Sequence, residues 1–166
     1  MADYDPVGML RVLQDHRVEF VLIGGVAARL RGAPVLTEDV DVTPANHRAN
    51  LERLVSALSD LDARLRTSTE PGGVSFPFDA GFLESATSWT LATRFGDLDL
   101  VFAPIGTTGY PDLRRDADDL RIAIEPELIV SVASLADVIR SKEAAGREKD
   151  RASLPLLRRT LEESEG

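Results

Sequence analysis

Asp39 and Asp41 stand one residue apart in the run Asp39-Val40-Asp41-Val42. Side chains alternate across a strand, so both carboxylates project to one face while Val40 and Val42 project into a core. Two like charges that close repel, and either a proton on one of them or a cation between them relieves the pair. Mg²⁺ suits the second outcome, because it binds through one or two carboxylates together with substrate phosphates and keeps several waters. A second alternation, Asp97-Leu98-Asp99-Leu100, sets Asp97, Asp99 and Val101 on one strand face and Leu98, Leu100 and Phe102 on the other. A third carboxylate from a neighbouring strand is what metal-assisted phosphoryl transfer needs: it shares the metal and takes the proton of an attacking hydroxyl. From the residues alone, either Asp-x-Asp also fits a solvated strand face.

Gly24 and Gly25 close the apolar run Phe20 to Ile23. With no side chain in the way, their backbone N–H groups at a helix start can approach an anion closely, although Gly-Gly after a strand also serves as a plain turn. Further on, Leu135, Val138 and Ile139 define the apolar face of a helix, and Lys142 falls on that same inward face. A lysine there either snorkels at the edge of the core or reaches a pocket and pairs with phosphate.

Taken together, the strand ending at Gly24-Gly25 and the later Thr37-Glu38-Asp39-Val40-Asp41 resemble the core motif of the polymerase-beta-type nucleotidyltransferase superfamily, a G-[GS] turn followed by D-x-D. Within it, the chain is similar to the small bacterial nucleotidyltransferases grouped with abortive-infection and toxin–antitoxin systems and to the short aminoglycoside and lincosamide nucleotidyltransferases. Gly96-Asp97-Leu98-Asp99-Leu100 resembles that family's G-x-L-D run, which singles out Asp99 as the third acid with Asp97 as runner-up. The run Ser141 to Asp150, SKEAAGREKD, resembles its K-x-x-x-G-R-x-K-D signature. The resemblance implies phosphate or structural contacts for Lys142, Arg147 and Lys149, and for Asp150 the fixing of a basic neighbour. It implies a metal site of Asp39, Asp41 and Asp99, an NTP as substrate held by Gly24 and Gly25, and Mg²⁺ as cofactor. The activity implied is transfer of a nucleoside monophosphate to a hydroxyl on an RNA 3′ end, a protein or a small molecule. The alternative is a fold of this kind without turnover, serving as a binding or regulatory component of a toxin–antitoxin pair. Two departures from the pattern stand out. Gly25 replaces the serine many relatives carry, and Val35 occupies a position that is often basic, leaving Arg29 or Arg31 to supply that part of a phosphate clamp.

The chain has 166 residues, enough for one domain with a real core, and residues 1–166 are expected to form a single domain. Asp and Glu number 28 against 19 Lys and Arg, a formal charge of −9, which disfavours binding to duplex DNA. The bases nonetheless cluster at Arg140, Lys142, Arg147, Lys149, Arg151, Arg158 and Arg159, so a local basic pocket is compatible with an acidic body. No cysteine is present, which excludes disulfides and thiolate metal sites, and His16 and His47 lie far apart in sequence. The N-terminus lacks the pattern of a signal peptide, and no apolar stretch approaches the roughly 18 residues that span a bilayer. The expectation is a cytoplasmic protein with no membrane partner.

The elements that must carry these residues are read from periodicity. A helix over Val7–Asp15 hands over to a strand over Val18–Ile23, and a short helix over Ala27–Leu30 stops at Gly32-Ala33-Pro34. The Asp39/Asp41 strand ends at Pro44, and Asn46 is the expected N-cap of a helix bearing Leu51, Leu54, Val55 and Leu58. Thr67 to Asp79 reads as a surface loop. Strands over Ser88–Phe95 and Asp97–Ala103 join at a tight turn at Gly96. Beyond the Ile105–Tyr110 loop, a short helix over Pro111–Asp118 precedes strands over Leu120–Ile124 and Leu128–Val132. Ser134 opens a helix with Asp137 at N3, Gly146 marks a junction, and a last helix runs to about Glu163 with a bend near Pro155. The expected fold class is α/β (α+β): a mixed sheet of about five strands with helices mainly on one side, plus a C-terminal helical section, about 134–163, beside the active edge. Acceptor recognition is expected in the loops Thr67 to Glu84 and Ile105 to Asp112.

Overall fold

The computed structural model describes residues 3–165. Asp5 caps the first helix by accepting the Gly8 N–H at 3.0 Å, and Pro6 occupies the first turn, where a missing N–H costs nothing. That helix, α1 (Pro6–Asp15), leads into β1 (Phe20–Ile23), which passes directly into α2 (Gly24–Leu30). β2 (Asp39–Pro44), α3 (Arg48–Asp60), the two-residue β3 (Arg64–Leu65) and a short α4 (Ala80–Glu84) follow. β4 (Ser88–Thr93) and β5 (Gly96–Val101) form a hairpin, α5 (Tyr110–Asp116) connects to a second hairpin of β6 (Asp118–Ile124) and β7 (Glu127–Val132), and α6 (Leu135–Ala145) and α7 (Glu148–Glu165) complete the chain. The architecture is α+β.

The seven strands form one mixed sheet in the order β3-β4-β5-β2-β1-β7-β6, with β2–β5 and β1–β7 parallel and the other pairs antiparallel. Register sorts the side chains into two faces, because residues directly opposite one another share a face. One row across the sheet is Leu22, Val42, Leu100 and Trp89; the next is Ile23, Asp41, Asp99 and Thr90. The first face holds Val40, Val42, Leu98 and Leu100, all at most 1% exposed, in one cluster with Met9, Leu10 and Leu13 of α1 and Leu51, Leu54 and Leu58 of α3. Each such leucine contributes roughly 1.5–3 kcal/mol by leaving water, so this face fixes the register and leaves the acids no choice but the opposite side. Buried Asn50 ties the ends together: its Oδ1 accepts Glu19 N–H at 2.7 Å, and its Nδ2 donates to the carbonyls of Glu19 and Ala45 at 2.9 and 2.8 Å.

Several expectations are corrected. The sheet has seven strands rather than about five: the six strands read from periodicity all join it, and β3, too short at two residues to carry a readable period, adds the seventh. His47, not Asn46, caps α3, with its ring nitrogen accepting Asn50 N–H at 3.4 Å. α4 interrupts the presumed acceptor loop, capped by Asp79, whose Oδ1 accepts Phe82 N–H at 2.7 Å. Asp118 begins β6 rather than ending α5. α7, with Pro155 inside it, ends at Glu165 rather than about Glu163.

Candidate active site

The β2–β5 register sets Asp39 opposite Asp97 and Asp41 opposite Asp99. Asp39, Asp41 and Asp99 each offer a carboxylate oxygen, and these oxygens lie within 4.8 Å of one another. Burial first, and then the charges of Asp39 and Asp99, push Asp41 up to about 8, so at neutral pH it keeps a proton that it shares with Asp99. Burial also raises Asp99, against the opposing pull of Arg66. Tyr4 donates its hydroxyl to the Asp39 carbonyl at 3.2 Å, and Thr37 Oγ1 donates to the same carbonyl at 3.0 Å, which fixes the backbone where β2 begins.

Gly24, at φ 69°, starts α2 directly against the acids: a Cβ there would lie 2.3 Å from Asp41 Oδ2. A Cβ on Gly25 would meet Thr37 at 2.9 Å. Gly24 therefore lets a helix start press against the β2 carboxylate of Asp41, and Gly25 lets it pack on Thr37 just ahead of β2, close approaches that a side chain would block.

Asp97 stands apart from the cluster. Arg66 Nη1 lies 2.5 Å from Asp97 Oδ2, and Arg66 Nη2 lies 3.0 Å from Asp99 Oδ1. Arg66 has no counterpart in the sequence reading. It sits just past a two-residue strand, 33 positions from Asp99, and nothing in local spacing could have paired them.

The three acids open onto a cleft of about 890 Å³ that is also bordered by Gly24, Gly25, Lys142, Arg147 and Lys149. Ser134 caps α6 through the Asp137 N–H at 3.0 Å, and α6 then carries Lys142 into the cleft. Asp150, fully buried, gathers the basic residues: Arg147 Nε donates to its Oδ2 at 2.6 Å, Arg147 Nη2 to its Oδ1 at 3.2 Å, and Lys142 Nζ lies 3.5 Å from Oδ1. Burial alone would raise Asp150, but these partners more than offset it and hold the carboxyl below its usual range. Arg31 is committed elsewhere, donating to the Val132 and Ala133 carbonyls and pairing with Asp118. Arg29 donates to the Val35 carbonyl at 2.8 Å. Neither arginine lines the cleft.

The seven-stranded mixed sheet with its flanking helices is a polymerase-beta-type nucleotidyltransferase-like fold, as its likeness to solved structures shows. The lincosamide antibiotic adenylyltransferase LnuA, in a lincomycin-bound crystal structure, superposes with a TM-score of 0.60 at 12% identity, over 94% of this chain and 98% of that one. TM1012 of Thermotoga maritima, named as a candidate nucleotidyltransferase, gives 0.54 at 17% identity over 94% and 89%. The antibiotic-resistance factor ANT(2'')-Ia, solved in solution, gives 0.54 at 16% over 92% and 80%. No known family's sequence profile matches the chain, and no curated protein matches it by sequence. At these identities the likeness is one of fold. No helix among the described residues is long and apolar enough to cross a membrane.

Proposed function

We propose that the chain is a nucleotidyltransferase that moves a nucleoside monophosphate from an NTP to a hydroxyl acceptor and releases pyrophosphate. The observation that carries this reading is the convergence of Asp39, Asp41 and Asp99 in one cleft against the Gly24-Gly25 turn. The donor set is entirely carboxylate oxygen, which suits a hard divalent cation such as Mg²⁺. Mutual repulsion and burial that hold a proton on Asp41 at neutral pH are the strain such a cation relieves. Asp39 and Asp41 would hold the ion, with Asp99 as the third ligand. When bound, it supplies charge stabilisation to the phosphates and acidifies an acceptor hydroxyl.

The chain's own residues then divide the work of positioning and charge stabilisation, on which phosphoryl transfer chiefly depends. The backbone N–H groups of Gly24 and Gly25 face the triphosphate, and Lys142 adds positive charge from α6. Lys149 lies at the cleft's rim, while Arg147 locks Asp150 and so fixes the α6–α7 junction. Asp99 takes the proton of the attacking hydroxyl as the new O–P bond forms at the α-phosphorus. The bond to the bridging oxygen breaks, and pyrophosphate leaves. The acceptor is an RNA 3′ end, a protein side chain or a small hydroxylated molecule; the lincomycin held by LnuA makes the last class the first to try. Incubation with each labelled NTP, Mg²⁺ and total RNA, protein or lincomycin should give label transfer by the wild type and none by Asp41→Ala. No transfer and no calorimetric binding of any NTP at saturating Mg²⁺ would sink the reading.

A second reading is a binding or regulatory protein without turnover, such as one member of a toxin–antitoxin pair. It is favoured by the engagement of both Lys142 and Arg147 with Asp150 and by Val35 in place of a basic residue. Transfer of label by the wild type would end it.

A further inference from the structure

Arg66 is built into the acidic face from both ends. At its root, Arg66 N–H donates to the Thr90 carbonyl at 3.0 Å, and Thr90 Oγ1 donates to the Arg66 carbonyl at 3.3 Å. Thr90 is itself the cross-strand neighbour of Asp99. At its tip, one planar guanidinium spans two carboxylates, with Nη1 on Asp97 Oδ2 at 2.5 Å and Nη2 on Asp99 Oδ1 at 3.0 Å. The side chain is only 21% exposed, and that of Asp99 18%. Among the described residues, Arg66 is the one cation in a salt bridge with any of the three clustered acids. With Oδ1 of Asp99 held, the carboxylate cannot turn freely. A guanidinium fork imposes direction as well as charge, which an ammonium does not.

We propose that Arg66 is a positioning residue: it holds Asp99 in the orientation that completes the three-carboxylate cluster, and Asp97 serves to hold Arg66. This rests on the metal-assisted reading of the site given above. It explains why two acids of the same strand, on the same face, have separate tasks. It also ties the site to the segment that leaves β3, so the acids and the 67–79 segment share an anchor. The competing role is simple charge neutralisation of an acidic face, and the two roles predict opposite signs. A neutralising cation repels a metal ion, so its removal should tighten metal binding; a brace lost from the shell behind the ligands costs typically ten- to a hundredfold in affinity.

The test is Mn²⁺ binding without nucleotide, read from the electron paramagnetic resonance signal of free Mn²⁺, for wild type, Arg66→Ala and Arg66→Lys. Thermal melts serve as the check on folding. The brace predicts binding about tenfold or more weaker in both variants, since lysine keeps the charge and loses the fork. Tighter binding by Arg66→Ala, or unchanged binding by Arg66→Lys, overturns it. Should Arg66→Ala not fold, Arg66→Lys alone decides. A wild type that binds no Mn²⁺ overturns the metal reading and this inference with it, whereas a wild type that binds beside variants that bind as well or better overturns this inference alone.

Discussion

Asp41→Asn should stabilise the metal-free protein, and the gain should grow with pH. Asp41 is held at about 8 in the folded chain against an ordinary 3.8. A raised carboxyl binds its proton more tightly in the folded state, so its favourable contribution is fully present below about pH 4 and is lost as pH climbs towards 8. A shift of about four units at about 1.4 kcal/mol each sets a ceiling near 5–6 kcal/mol. Solvent relaxation and sharing of the proton with Asp99 will lower this figure. Asparagine has the shape of the protonated acid and cannot ionise, so the variant escapes the loss. For a chain of this size about 1 kcal/mol moves the melting temperature by roughly 2–4 °C, so a gap on the order of 10 °C should open by pH 9. The assay is a set of melts in chelator from pH 5 to pH 9. Wild type and variant should lie closest at pH 5, and the gap in the variant's favour should widen steadily up to pH 9. Adding Mg²⁺ and NTP should then narrow the gap, since a ligand that binds only the native state adds about 2.7 kcal/mol at a hundredfold excess over its Kd. A gap that does not change with pH, or a variant that gains as much as wild type from Mg²⁺ and NTP, would refute the reasoning.

Gly24→Ala should cost at least about 1–2 kcal/mol in stability from the left-handed backbone alone, and more from the 2.3 Å approach to Asp41 Oδ2; the same melts, with Mn²⁺ titration, should show lower stability and weakened metal binding together. Asn50→Ala removes four side-chain hydrogen bonds, three of them with the backbone of Glu19 and Ala45, and should destabilise by about 2–4 kcal/mol by urea titration, on the cost of stranded buried polar groups. Asp150 is held below the usual carboxylate range, so its contribution is present at neutral pH and lost as pH falls below about 4. Acid unfolding followed by circular dichroism should therefore be steeper for the wild type than for Asp150→Asn, and equal slopes would count against the Arg147–Asp150 lock.

What the sequence discloses about this molecule is what local spacing determines. Period-two alternation identifies the core faces of β2 and β5 and so the direction of Asp39, Asp41 and Asp99; Val40 and Leu98 need burial, and the acids follow. Ser134 three residues ahead of Asp137, and Arg147 three ahead of Asp150, are spacings of one helical turn, and both contacts form. The tie between the wide loop and the acids is of another kind. It depends on the β3–β4 register, which sets the backbone of Arg66 against Thr90, and on the β4–β5 register, which sets Thr90 against Asp99. Two independent alignments multiply before Arg66 reaches its carboxylates, and neither leaves a trace in composition or period. Likewise the choice between Asp97 and Asp99 cannot be made from either acid, since both share a face and each opposes an acid on β2. A residue from outside the motif differentiates them: Arg66 takes one oxygen of each, and the strand leaves only Asp99 beside Asp41. The role of Gly24 divides in the same way. Its lack of a side chain suggests a phosphate approach, but the sequence alone cannot show that Asp41 already occupies the space a Cβ would need. The glycine that would admit a substrate is first of all what lets the helix and the carboxylates meet.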